Sequence, residues 1–179
     1  MERQRETEIL EQREAWLATF QQGWLAHFEQ TGERDWQQYQ WAKNSIAPVG
    51  PAIDLARSRL LLISSAGGYL RDQQQPFDAS NPLGDYTIHT FPSATVLSGL
   101  AYAHEQYDHT AVKADPQVLV PLRHLDDLVA EGRIGALTPS VVSFMGYQPD
   151  LTRLIDELIP AILTIAQNEQ ADAALLVPS

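Results

Sequence analysis

The sequence predicts an α/β fold, a partly parallel sheet with flanking helices that follows an N-terminal helical extension. Three observations carry this expectation. Residues 60–63 form a continuous apolar run that ends in Ser64-Ser65-Ala66-Gly67-Gly68, the pattern of a buried strand opening into a glycine loop. Residues 141–145 form a second apolar run, rich in β-branched residues, and residues 173–177 a third. Between these two lies an amphipathic stretch long enough to be a helix. A strand, a helix of this length and a strand make a βαβ unit, which sets its strands parallel with a right-handed crossover.

The N-terminal element comes first. From residue 2 to about residue 30, Ile9, Trp16, Phe20, Trp24 and Phe28 recur mostly at four-residue steps, and Leu10, Leu17 and Leu25 widen the same stripe. This predicts an amphipathic helix closed by Gly32. The aromatic stripe is read as packing rather than as a ligand box, because burying such rings is favourable in itself. A second short helix is expected over residues 35–44, and Ala47-Pro48-Val49-Gly50-Pro51 then reads as a linker. The chain accordingly divides into a helical segment, 1–50, and an α/β domain, 51–179, that folds as one unit.

After the first strand, residues 72–85 are polar, carry Pro76, Pro82 and Gly84, and read as a surface loop. Residues 86–91 have strand-like side chains. Pro121 suits the first position of a helix whose apolar residues are Leu122, Leu125 and Leu128, and Gly132 suits the position past its end. Asp150 is placed to cap the long helix. Leu151, Leu154, Ile155, Leu158, Ile159 and Ile162 give that helix an expected buried face, and Pro160 is expected to kink it. The last run, 173–177, is expected to be a buried strand. A sheet of this kind needs helices on both faces, so a covering segment is expected to belong after Ser179.

Acidic residues outnumber basic ones by 23 to 12, and the basic residues form no run, so the average field repels nucleic acid and anionic membranes. Neither a signal sequence nor an apolar stretch of membrane-spanning length is present, which predicts a cytoplasmic protein. With no cysteine in its 179 residues the chain as given holds no disulfide, no thiolate metal site and no cysteine nucleophile.

In open parallel sheets ligands bind beyond the carboxyl ends of the strands. Here those ends are 64–68, Gly146-Tyr147 and Pro178-Ser179, which makes Gly67, Gly68, Gly146 and Ser179 the candidate substrate-binding residues. The glycine pair lacks both the Rossmann and the P-loop spacing, and a tight strand-to-loop turn explains it as well. His104, Tyr107, Asp108 and His109 are the densest functional group. On a helix His104 and Asp108 share a face at a spacing that suits proton transfer or metal binding, although by themselves they read more readily as a solvated helix end or a loop whose aspartate holds local backbone amides. No third metal ligand is evident, so no metal is expected. His89 and His124 read as surface or packing residues.

One ordered set of segments carries more information than any of these alone. It comprises Gly67-Gly68-Tyr69-Leu70-Arg71-Asp72-Gln73, Pro76-Phe77-Asp78, Gly84-Asp85-Tyr86, His104-Glu105-Gln106-Tyr107-Asp108, Asp115-Pro116 and Pro121-Leu122. Glu131-Gly132-Arg133-Ile134-Gly135, Ser143-Phe144-Met145-Gly146 and Ala171-Asp172-Ala173-Ala174-Leu175-Leu176-Val177-Pro178 complete it. In this order the set resembles the central region of the glycine/sarcosine/betaine/D-proline reductase selenoprotein B family over roughly residues 60–179. The resemblance implies that the last strand is followed by the reactive selenocysteine, or by a cysteine in its place, and then by a glycine-rich helix. It therefore implies a selenocysteine at the position after Ser179, read as a stop in ordinary translation of the gene. A low-pKa nucleophile at such a point benefits from the amides of a following helix.

The function this implies is that of a reductase component cleaving a carbon–heteroatom bond in a small amino-acid-like substrate. His104, Tyr107 and Asp108 would be its catalytic candidates, no cofactor would lie within the chain, and a partner subunit would activate the substrate. Two other readings stand beside it: a non-catalytic binding or scaffold protein of the same fold, and a hydrolase or lyase using His104 and Asp108. If the last strand is left uncovered, the chain is also expected to self-associate through it.

Overall fold

A computed structural model of the chain describes residues 9–47, 50, 52–103 and 109–179. The chain forms two compact units, Met1–Pro51 and Ala52–Ser179.

In the first unit, helix α1 (Arg13–Phe20) passes through a wider turn, Gln21–Leu25, into α2 (Ala26–Thr31), which Gly32 closes. The four-residue aromatic spacing has a direct consequence. Trp16, Phe20, Trp24 and Phe28 stack in sequence, with ring centroids 5.1, 5.7 and 5.8 Å apart. Two expectations need correction. The helix begins at Arg13, because Gln12 takes a left-handed conformation (φ 56°) and leaves Ile9 and Leu10 before the first turn. The helix expected over 35–44 does not form. Asp35 instead accepts the Gln37 N–H to make a turn, and the chain then runs extended. That path lays Tyr39 edge-on to Trp16, Phe20 and Trp24, and leaves the Gln40 carbonyl open to the Trp16 indole N–H at 2.9 Å. A helix would have used that carbonyl in its own ladder. Of the expected linker only Ala47 and Gly50 lie within the described residues.

The second unit is built on β1 (Arg59–Ser64), whose leucines are buried on both faces. β6 (Ser140–Phe144) pairs in parallel with the end of β1 and β5 (Ala136–Leu137) with its beginning, both on one flank, while β7 (Ala173–Val177) pairs in parallel along the other. Pro139 interrupts the line between β5 and β6, and the Thr138 hydroxyl bridges the interruption by donating to the Ser140 carbonyl at 2.8 Å. β3 (Ile88–Pro92) adds antiparallel to the outer side of β6. The sheet is therefore mostly parallel with one antiparallel edge, an α/β architecture with flanking helices.

One face of the sheet packs Leu60, Leu62 and Val141 against α4 (Leu122–Ala130) through Leu122 and Leu125. Pro121 precedes α4 and Gly132 follows it, as their positions in the sequence require. Gly135 lies so close to Ser58 that a Cβ there would come within 2.8 Å of the Ser58 carbonyl oxygen, which is why a side chain is not accommodated. The other face packs Leu61, Ile63 and Val142 against Ile162 and Ile165.

The long helix after β6 starts at Asp150, whose carboxylate accepts the N–H groups of Thr152 and Arg153. It comprises α5 (Leu151–Arg153), a wide turn, Leu154–Leu158, and α6 (Ile159–Asn168). The wide turn ends directly before Pro160, so the proline occupies the first turn of α6, where its missing N–H costs least. Of the six residues expected on the buried face only Leu158 is fully buried; the others are half-buried.

Two further expectations change. The chain after Gly67 does not enter a loop; it forms β2 (Gly68–Leu70), a ribbon antiparallel to β4 (Leu100–Tyr102). β7 is not buried. Leu175 is 37% and Leu176 58% exposed, because β7 pairs with β1 on one side and with no other described strand. Among the described residues no helix is long and apolar enough to cross a membrane.

Candidate functional site

Because β1, β6 and β7 are parallel, their carboxyl ends meet at one edge of the sheet. Ser65, just past β1, donates its N–H to the Val177 carbonyl of β7 at 3.1 Å. Its hydroxyl oxygen accepts the Ser179 N–H at 2.9 Å, and the two serine hydroxyls lie 3.2 Å apart. Gly146, just past β6, completes the group: a Cβ there would lie 3.1 Å from the Ser179 hydroxyl and 3.2 Å from the Ser65 carbonyl oxygen. A crevice of about 520 Å³ opens beside these residues, walled by Ser65, Gly146, Gln148 and Ser179 on the polar side and by Phe144 and Leu151 on the apolar side.

Gln148 has a second property. Its Nε2 donates to the Asp85 carbonyl at 3.2 Å, and its Oε1 is buried with no hydrogen-bond partner among the described residues. A buried acceptor in this state calls for a water or a ligand donor. The hydroxyl of Tyr147 is engaged, donating to the Pro82 carbonyl at 2.8 Å.

The 78–87 loop braces this edge. Gly84 adopts φ 84°, and a Cβ there would meet the Tyr147 carbonyl oxygen at 2.7 Å, so only glycine lets the loop press onto the Gly146-Tyr147 turn. Asp85 organises the loop. Burial pushes its carboxyl up, but hydrogen bonds from the Thr87 hydroxyl (2.6 Å), the Thr87 N–H (2.9 Å) and the Asp78 N–H (2.8 Å) outweigh burial and hold it below the ordinary carboxylate value. The Tyr86 hydroxyl accepts the Asp150 N–H at 2.7 Å, and the Arg153 guanidinium lies 4.1 Å over the Tyr86 ring. Hydrogen bonds to Glu157 at 2.7 and 2.8 Å hold that guanidinium above its ordinary value.

Of the residues singled out in the sequence, Gly146 and Ser179 lie together at the crevice. Gly67 and Gly68 do not line it. Gly67 donates its N–H to the Phe144 carbonyl at 2.8 Å and accepts the Ala103 N–H at 3.0 Å, so it links β6 to the β2–β4 ribbon. Gly68 is buried, with the Tyr102 ring 3.4 Å and the Ser143 hydroxyl 3.5 Å from where its Cβ would stand. His104, Tyr107 and Asp108 lie outside the described residues; Ala103, which precedes them, is held at Gly67. Sequence reasoning passed over Ser65 and Gln148 as site residues. Ser65 was legible only as part of a strand end, and nothing in the sequence shows that Gln148 is buried.

Chemically, the crevice offers serine hydroxyls, an amide oxygen and an apolar wall. None of its described lining residues carries a carboxylate side chain, an imidazole or an amine, and the Tyr147 phenol is engaged with Pro82, so redox chemistry at this edge needs a group from beyond them. The fold and the position of the crevice define a parallel-sheet α/β protein with its ligand edge at the ends of β1, β6 and β7. The chain belongs to the glycine/sarcosine/betaine reductase selenoprotein B family, whose profile matches residues 34–173. It is similar to the D-proline reductase subunit gamma of Acetoanaerobium sticklandii, with 27% identity over 123 residues, 69% of this chain and 49% of that protein. The chain thus spans about half the length of this relative. No solved structure matches it significantly.

Proposed function

We propose that this chain is a selenoprotein-B-like component of a cytoplasmic reductase that acts on a small amino-acid-like substrate together with a partner subunit. The observation that carries this reading is the seating of Ser179. Its N–H and hydroxyl are both bound to Ser65 beside Gly146, so the next residue of the chain would emerge at the carboxyl edge of three parallel strands. In this reading that next residue is the selenocysteine or cysteine that the family resemblance implies. It would bring to the crevice the redox group that the lining lacks, while Gly146 and Ser179 keep the approach to it narrow. His104, Tyr107 and Asp108 are assigned the proton-transfer role; they follow Ala103, which is tied to Gly67, itself bonded to the end of β6.

The test is the extended protein and the reductase reconstituted with it. A chain extended through cysteine at position 180 is expected to carry a thiol that iodoacetamide alkylates at neutral pH faster than free cysteine. If a cysteine placed at position 180 reacts with iodoacetamide no faster than free cysteine, the proposal is overturned. His104→Ala is expected to lower turnover in the reconstituted reductase while leaving the unfolding midpoint in place.

A further inference from the structure

A second cavity, of about 560 Å³, lies away from the strand ends, where β4 meets α3 (Thr110–Ala114) and the first turn of α4. Its lining runs against the composition of the chain. Arg71, Lys113, Arg123 and His109 face it, and none of its described lining residues is acidic, although acidic residues outnumber basic ones by 23 to 12. The three permanent cations come from separate elements: the end of β2, α3 and α4. Folding has thus collected them. Among the described residues no ion pair engages any of the three. Arg71 is positioned by one hydrogen bond, from its Nη2 to the Leu100 carbonyl at 3.1 Å, which leaves the rest of its planar fork for another acceptor. The floor is apolar, formed by the buried Leu100 and Val112.

We infer that this cavity binds a small organic carboxylate, with its charged head among Arg71, Lys113 and Arg123 and its hydrocarbon body on Leu100 and Val112. Like charges gathered in one cavity repel, and an anion removes that cost. Guanidinium groups match a carboxylate with paired hydrogen bonds. The volume is that of a small-molecule site. A free phosphate would use the cations and leave the apolar floor without a partner. The inference holds whatever reaction takes place at the strand ends, so it stands or falls separately from the reductase proposal.

The test is calorimetric titration of the full chain with pentanoate, pentanamide and inorganic phosphate, joined to amide chemical-shift mapping. Pentanoate is expected to bind and to shift the amides of Leu100 and Val112, with pentanamide and phosphate at least tenfold weaker, the scale of one charge-assisted contact at roughly 1.4 kcal/mol per tenfold. Arg123→Ala and Lys113→Ala are each expected to weaken pentanoate by about tenfold. Arg133→Ala, past the far end of α4, should not change it. All three side chains are exposed, so the variants should fold, which circular dichroism checks. The proposal is overturned if pentanoate does not bind at millimolar concentration, if pentanamide or phosphate binds as tightly, or if Arg123→Ala and Lys113→Ala leave the affinity unchanged.

Discussion

β6 and β7 are both five-residue apolar strands, both parallel to β1 and both joined to the same helix, yet they live in different surroundings. In β6, Val141, Val142 and Ser143 are 1%, 0% and 0% exposed. In β7 the three central residues are all exposed, Leu176 at 58%. The difference lies in their neighbours. β6 has β1 on one side and β3 on the other, with helices packed on its faces; β7 has β1 alone among the described strands, and only its end residues, Ala173 and Val177, pack against the core. An apolar run thus states that a strand can be buried, and the topology decides whether it is.

The largest effect expected from this contrast is at Val142. Val142→Asp places an unpaired charge in the centre of the sheet, which should cost more than about 4 kcal/mol and leave the α/β unit unfolded, since domains carry only about 5 to 15 kcal/mol. Loss of the far-ultraviolet signal and of cooperative urea unfolding would register it. A folded Val142→Asp protein would mean that β6 is no more central than β7.

Next is the anchor of β7. Asp172 accepts the Arg59 N–H at 2.8 Å and donates its own N–H to the Arg59 carbonyl at 2.9 Å, which sets the register of β7 on β1. Asp172→Ala should lower the urea unfolding free energy by about 1 kcal/mol, and Asp172→Asn, which keeps an acceptor, by less. Equal losses in both variants would assign the effect to charge instead of to this hydrogen bond.

A pH-dependent contribution separates the two strand ends. The Asp85 carboxyl lies below its ordinary value in the folded protein, so its contribution is complete above the unfolded value of about 3.9 and disappears as pH falls through the lower folded value. The 78–87 loop braces the turn after β6 and has no counterpart at β7 among the described residues, so acid should loosen Gly146 to Gln148 while the β1–β7 pairing persists. Hydrogen exchange of these amides above and below about pH 4 measures this, and Asp85→Asn should flatten the dependence. Uniform loosening of both ends would remove the distinction.

The smallest effect is expected at the surface of β7. Leu176→Asp should change stability by no more than about 0.5 kcal/mol and, by breaking an exposed apolar surface, lower any tendency of the chain to associate, as sedimentation would show.

Local pattern alone determined a good deal of this protein. The helix caps at Asp150 and Gly132, the three parallel strands and the four-residue aromatic ladder were legible because each depends on neighbours a few residues apart. The ordered segments from Gly67 to Pro178 carried the family. What only the tertiary structure decided was everything that depends on distant partners. Residues 35–44 were free to be a helix until Tyr39 met three rings and Trp16 claimed the Gln40 carbonyl. Gly67 became a link between ribbons because Phe144 and Ala103 meet there. Ser65, Gly146 and Ser179 share an edge because parallel pairing sets their strands in register. Arg71, Lys113 and Arg123 share a cavity because β2, α3 and α4 fold together. Such pairings form through contacts between residues far apart in the chain, and a local pattern carries no record of them.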